Sequence, residues 1–332
     1  MAHNLEIRGG KASFFAVGKP AWHGLGTIVQ DAPTIPQALE LAGLDWKVSL
    51  HSVFDKEGNA LDKMAKLVVR NLDGQQFGVV GPRWQPLQNR TAFEWFQPFL
   101  DSKEAELHTA GALNGGRRVW ILARICGKPL EIVKDDTVER FLLLSNSHDG
   151  TLAVRVGFTP IRVVCANTLA VAHNATDSQL IRFKHGQSLV ANLESIRDTI
   201  SLANRTFEAT AEQFRILARK SINKADLRKY LKIVYGFNGD TPEDEISTRQ
   251  KNVFDKITEN FEQGFGHDIK ANGKTYWRAY NAVTEYLTYA RPEIDSGKRR
   301  RTADDSRLDS LWFGANSRLN TAALDAAIAL AV

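Results

Sequence analysis

Residues 138–172, VERFLLLSNSHDGTLAVRVGFTPIRVVCANTLAVA, constrain the fold of this chain more than any other stretch. The first run, Val138 to Ser145, carries the unbroken apolar block Phe141-Leu142-Leu143-Leu144. The second alternates: Leu152, Val154, Val156 and Phe158 fall on one side, and Ala153, Arg155, Gly157 and Thr159 on the other. A period of two marks a half-buried strand. Between the runs stands His148-Asp149-Gly150, and Asp-Gly accepts the positive φ angles of a two-residue hairpin turn. The stretch is therefore expected to be a β-hairpin with one apolar face and one face carrying Arg155.

Other strands surround this hairpin. Residues 1–36 have no sustained period and read as an arm whose densest point is Trp22-His23-Gly24-Leu25-Gly26, a tryptophan anchor. Two glycines with no third and no preceding strand do not make a dinucleotide fingerprint. A short helix is expected after Thr34, including Ala38 to Leu44. Residues 46–54, 65–71 and 76–81 read as three strands of an antiparallel meander, with turns at Asp55 to Asn59 and at Asp73-Gly74. A helix over 89–102 follows, with Pro98 as a kink or early stop. Strands over 106–112 and 118–126 are joined by Asn114-Gly115-Gly116-Arg117.

After Gly186 the period changes. Leu189, Ile196, Ala203, Thr210 and Leu217 succeed one another at steps of seven, and Leu193, Ile200, Phe207 and Phe214 form a second seam. Such a repeat predicts a long helix pairing with another, and an ordinary core helix is the alternative. Thr241-Pro242 starts a helix whose face is Ile246, Val253, Ile257 and Phe261. A further helix spans 276–289, Lys298 to Arg301 form an exposed linker, and 320–332 form an Ala/Leu helix. The fold class is thus α+β: a hairpin-rich antiparallel β domain with helices over 1–186, and a mostly α-helical region over 187–332.

Several chemistries are disfavoured. Gly273-Lys274-Thr275 lacks the glycine five residues earlier that a phosphate loop needs, because Asp268 stands there. Cys165 within Ile161-Arg162-Val163-Val164-Cys165 reads as a buried thiol, not a nucleophile. His148, Asp149, His173 and His185 lack the close helical pairing of a metalloprotease site, so no metal or other cofactor is expected and the chain is not read as an enzyme. No apolar run is long enough to span a bilayer and no signal pattern opens the chain, which implies a cytoplasmic protein. The two cysteines fit a reducing compartment.

Nucleic-acid binding fits better. The net charge is +5 and the pI near 9.1, compatible with a polyanionic partner. Within 111–186 there are ten Lys/Arg against six Asp/Glu, and within 215–236 seven against one. Arg117 and Arg118 at a glycine-rich tip, Arg155 and Arg162 on the central strands, Arg182 and Lys184 just beyond, and Arg83 are the candidate phosphate contacts. Trp120 and Phe158, with Trp84 nearby, are the candidates for sugar or base contact.

The strings SNSHDG (145–150) and FTPIRVVCANTL (158–169), with MAHNLE at the start and AWHGLGT at 21–27, resemble a phage- and plasmid-related family catalogued as a domain of unknown function. In architecture and charge that family is similar to the ring-forming single-strand annealing proteins of the Rad-fifty-two type. The resemblance implies an ATP-independent protein that binds and anneals single-stranded DNA in homologous recombination, assembled as a homo-oligomeric ring. Two other classes stay open: a structural or host-interaction protein that docks through the heptad helix, and a metal-dependent nuclease using His148, Asp149 and His173.

Overall fold

The computed structural model describes residues 5–18, 25–162, 167–168, 180–195, 203–290, 310 and 314–332. The chain divides into two units, each discontinuous in sequence. The first gathers Met1–Cys126, Phe141–Phe158 and Leu180–Ser201, and the second Gly127–Arg140, Thr159–Gln179 and Leu202–Val332. Trp22, His23, Cys165, His173, Ile196, Ile200 and Lys298 to Arg301 lie outside the described residues.

In chain order, β1 (Ile7–Arg8), β2 (Lys11–Ala12), β3 (Phe14–Val17) and β4 (Thr27–Val29) come before α1 (Ile35–Leu41). The strands β5 (Val48–Ser52), β6 (Lys66–Arg70) and β7 (Gln76–Val80) precede the short helices α2 (Asn89–Glu94) and α3 (Gln97–Asp101). Next come β8 (Ala105–Leu113), β9 (Arg118–Ile125), β10 (Leu130–Val133), β11 (Asp136–Ser147), β12 (Val154–Arg162), β13 (Asn167–Thr168) and β14 (Leu180–Phe183). The helices α4 (Leu189–Ser195), α5 (Ala203–Arg219), α6 (Lys224–Val234), α7 (Thr248–Gln263), α8 (Tyr276–Glu285) and α9 (Ala315–Ala331) follow. The fold class is α+β, with antiparallel strands early and helices late, and no described helix is long and apolar enough to cross a membrane.

In the first unit the main sheet runs β12-β11-β9-β8-β3-β4, with β14 paired to β12. The expected hairpin is β11 and β12, with Val154, Val156 and Phe158 buried at 0%, 2% and 8% exposure. Phe141 to His148 are all buried, so this half of β11 is covered on both faces, as its unbroken apolar run requires. The arm is more regular than its sequence suggests. Phe14 to Val17 pair antiparallel with β8 and parallel with β4, and Phe14 and Phe15 enter the core. The meander β5-β6-β7 forms as expected, and the helix over 89–102 breaks into two at Phe96, with Pro98 in the first turn of α3.

Both hairpin tips of the main sheet lie on β7. Gly150, at φ +74°, approaches so closely that a Cβ there would sit 2.8 Å from Val80 Cγ1. Gly116, at φ +88°, leaves 2.7 Å to Arg70 Nη1. The turn at Asp149 is wider than two residues, because its Oδ1 accepts from the Thr151 amide at 3.0 Å and from the Thr151 hydroxyl at 2.6 Å. Gly150→Ala should therefore lower stability by about 1–3 kcal/mol through backbone strain and the Val80 clash. A urea melt checks it, and an unchanged midpoint would refute the packing argument.

The second unit packs α5 to α9 around Phe214, Tyr230, Trp277 and Tyr280, joined by Ile132 of β10 and Val138 of β11. Two hydrogen bonds cross this core: Trp277 Nε1 donates to Asp136 at 2.9 Å and the Tyr230 hydroxyl to the Ala323 carbonyl at 3.0 Å. The heptad stretch is shared between the units. Leu189 and Leu193 are buried in the first, where Trp95 Nε1 donates to the Leu193 carbonyl at 2.7 Å, and Thr210, Phe214 and Leu217 in the second. Leu189, Leu193, Thr210, Phe214 and Leu217 are thus core residues of their own units, the ordinary alternative to a coiled-coil seam.

Candidate nucleic-acid interface

The turn before Arg117 is built from Asn114, Gly115 and Gly116, all at positive φ. It aims Arg117 back at β7. Its Nε donates to the Phe77 carbonyl at 3.0 Å, Nη2 to the Gln76 carbonyl at 3.3 Å, and Nη1 to the Asn114 carbonyl at 3.1 Å. A guanidinium held by three backbone carbonyls fastens the hairpin tip to the meander. Its neighbour Arg118 differs.

Arg118 stands opposite Ser147 where β9 meets β11, and Arg155 stands opposite Arg182 where β12 meets β14. Like charges directly opposite on a sheet repel. Burial lowers the pKa of Arg155, and the charges of Arg182 and then Arg118 lower it further. An arginine remains charged all the same. Arg182 is exposed, and Arg118 and Arg155 are half-buried. Asp149 sits within reach of Arg118. Burial works to raise its pKa, but the hydroxyls of Ser147 and Thr151, the Thr151 amide and Arg118 outweigh that and hold it below the usual carboxylate range.

A second feature borders this row. The turn Gly81-Pro82-Arg83-Trp84 presents the Trp84 ring to His185, with centroids 4.7 Å apart and planes 23° from parallel. His185 hydrogen-bonds the Gln85 carbonyl through Nδ1 at 3.0 Å. Burial lowers its pKa, opposed by hydrogen bonds to the Gln85 and Leu152 backbone and by the Asp149 charge. Arg83 and Lys184, beside the two rings in sequence, are both exposed.

The remaining candidates fall elsewhere. Trp120 is 1% exposed and packs against Phe14, with ring centroids 6.1 Å apart, and over Gly111, so its ring is core and not a stacking surface. Phe158 is likewise buried. The backbone of Arg162 pairs with Asn167 in the second unit. The basic stretch 215–236 is largely neutralised: Arg228 bridges Glu243 and Asp255, Lys229 bridges Asp240, Lys232 bridges Glu243, and Arg215 and Arg219 share Glu212. The tempting Lys274 bridges Glu262, and Thr275 caps α8.

His148 is fully buried and packs against both Trp46 and Phe77, at centroid distances of 5.1 and 5.9 Å. Asn89 donates its Nδ2 to the Leu44 carbonyl at 3.0 Å, which leaves Asn89 Oδ1 as acceptor for a proton on His148 Nε2 at 2.9 Å. That fixes the tautomer and makes His148 a core residue. Among the described residues no group of three His, Cys, Asp or Glu side chains could hold a metal ion.

Sequence reasoning missed the Trp84–His185 stack, whose partners are a hundred residues apart. The only signal available was a basic residue beside each ring. No curated protein and no solved structure matches the chain. A family model, Domain of unknown function (DUF932), matches residues 76–312, which is more than two thirds of the chain and includes both hairpin strands and the arginine row; the chain belongs to this family.

Proposed function

We propose that this protein binds single-stranded DNA and anneals complementary strands without ATP, as a homo-oligomeric recombination protein of a phage or plasmid. The observation that supports it best is the direct cross-strand pairing of Arg155 with Arg182, with the charge of Arg118 on β9 also acting on Arg155. Rigid strands hold three cations where mutual repulsion disfavours them, and a phosphate backbone laid over them relieves that repulsion while releasing its own counterions. Annealing needs nothing more from the protein than a strand held by its phosphates with its base edges open. Base pairing and stacking supply the free energy. The resemblance in architecture and charge to the Rad-fifty-two-type annealing proteins, read from the sequence, points the same way, and a ring would carry the bound strand from one subunit to the next.

The test is an anisotropy titration with a labelled single strand across a salt series, followed by an annealing assay in chelator without nucleotide. Binding should weaken steeply with salt. Arg118→Ala, Arg155→Ala and Arg182→Ala should each reduce the slope by about one where a phosphate contact is lost. Arg117→Ala should instead lower the melting temperature and leave the slope unchanged. Salt-independent binding, annealing only with ATP, or strands shortened by a divalent ion would overturn the reading.

A further inference from the structure

We infer that the Trp84–His185 pair is a stacking platform for an unpaired base, so that the arginine face takes a nucleotide by its base as well as its phosphate. The inference rests on the single-strand reading and adds to it a second kind of contact. Of the five described tryptophans, Trp46, Trp95, Trp120 and Trp277 are at most 5% exposed, and Trp84 alone reaches the surface. It does so as a half-buried ring already lying flat against a second, half-buried π-system. A planar pair held this way has lost its rotational freedom before a ligand arrives, and stacking is indifferent to base identity because every base has a π-face.

The platform is tied to the arginine row group by group. His185 meets the field of Asp149 and hydrogen-bonds the backbone at Gln85 and Leu152. Asp149 meets Arg118, and Arg118 and Arg182 both act on Arg155. His185 also follows Arg182 by three residues along the chain leaving β14, and Lys184 and Arg83 add exposed cations beside the rings. Aromatic stacking next to a cationic row is the pairing that single-strand binding sites use, and a duplex, whose bases are already stacked, cannot satisfy it. The ligand chemistry that fits is a single-stranded polynucleotide of any sequence.

The experiment compares the full-length protein on a labelled oligothymidylate and on an abasic deoxyribose-phosphate strand of equal length, at one salt concentration, by anisotropy. The parent should prefer the base-bearing strand by about tenfold. Trp84→Ala should bring the ratio close to one with the salt slope unchanged, Trp84→Phe should keep most of the preference, and circular dichroism should report a retained fold for both. Equal affinity of the parent for the two strands, or an undiminished ratio in Trp84→Ala, overturns the platform while leaving the phosphate reading in place. Failure of the parent to bind either strand overturns both. If Trp84→Ala does not fold, the parent's ratio together with that of His185→Ala decides the question on the same terms.

Discussion

Arg70→Ala should lower the stability of this protein by about 3–5 kcal/mol, more than any substitution on the arginine row. Arg70 is 4% exposed and Glu6, its partner through Nη1, is 5% exposed. The other side of the guanidinium holds Asp73 through Nε at 2.9 Å and Nη2 at 2.7 Å. Its Cζ also lies over the rings of Trp46 and Phe77, 5.1 and 5.4 Å from their centroids. Glu6 belongs to the N-terminal segment and accepts from Ser13 Oγ at 3.2 Å, so one arginine fastens that segment to the meander. Removing it leaves a carboxylate buried without its cation, and removing both charges together avoids that penalty. Glu6→Leu combined with Arg70→Met should therefore be milder than Arg70→Ala alone. Urea melts of the parent, the single and the double variant check it. A single variant as stable as the parent, or a double variant worse than the single, would show that the pair is not the anchor.

The elements that could be read from the chain are those whose signal is local. The alternation of Leu152 to Phe158 needs no partner to be visible, and neither do the turn residues that separate β5, β6 and β7. Contacts between distant residues left no such mark. Nothing near Glu6 announces Arg70, and the arm has an irregular sequence because its strands are short and draw their order from β8. The SNSHDG string was legible as a turn but not as packing: its glycine fits against Val80, and its histidine closes an aromatic box with Trp46 and Phe77. The candidate site divided on the same line. Arg155 was assigned to a strand face by its period, whereas adjacent Arg117 and Arg118 look equivalent in sequence and are separated only by a turn that sends the first to backbone carbonyls. Trp120 misled because an aromatic on an alternating strand says nothing about which face is covered.

The second large effect is loss of stability in mild acid, set by histidines that the fold keeps neutral. Burial pushes the His148 imidazole down to about 3, with His185 and Arg70 adding to the shift and Asp149 opposing it. Its Nε2 proton is committed to Asn89, and Nδ1 is buried with no protein partner among the described residues, so a second proton there would have no acceptor. His108, against Phe141 at 5.1 Å, is held down to about 4 by burial and then by Arg124, with Glu106 opposing. In the unfolded chain both return to about 6.5. Below that value the unfolded state takes up protons that the folded state refuses, so their contribution is complete above pH 6.5 and is lost as pH falls from there toward 4 and then 3. Each histidine contributes up to about 1.4 kcal/mol per pH unit within its window, and the two together about 3 kcal/mol between pH 6 and 4.5. Asp149, with its carboxyl held below the ordinary range, adds its loss only at lower pH. Urea melts at pH 7.5, 6, 5 and 4.5 should show the midpoint falling steadily, and His148→Gln should start lower at neutral pH yet fall less steeply, by one proton's share of the slope. A midpoint that stays flat from pH 7.5 to 4.5 would mean that both imidazoles accept protons in the folded protein, and with that the sealed aromatic box around His148 would have to be abandoned.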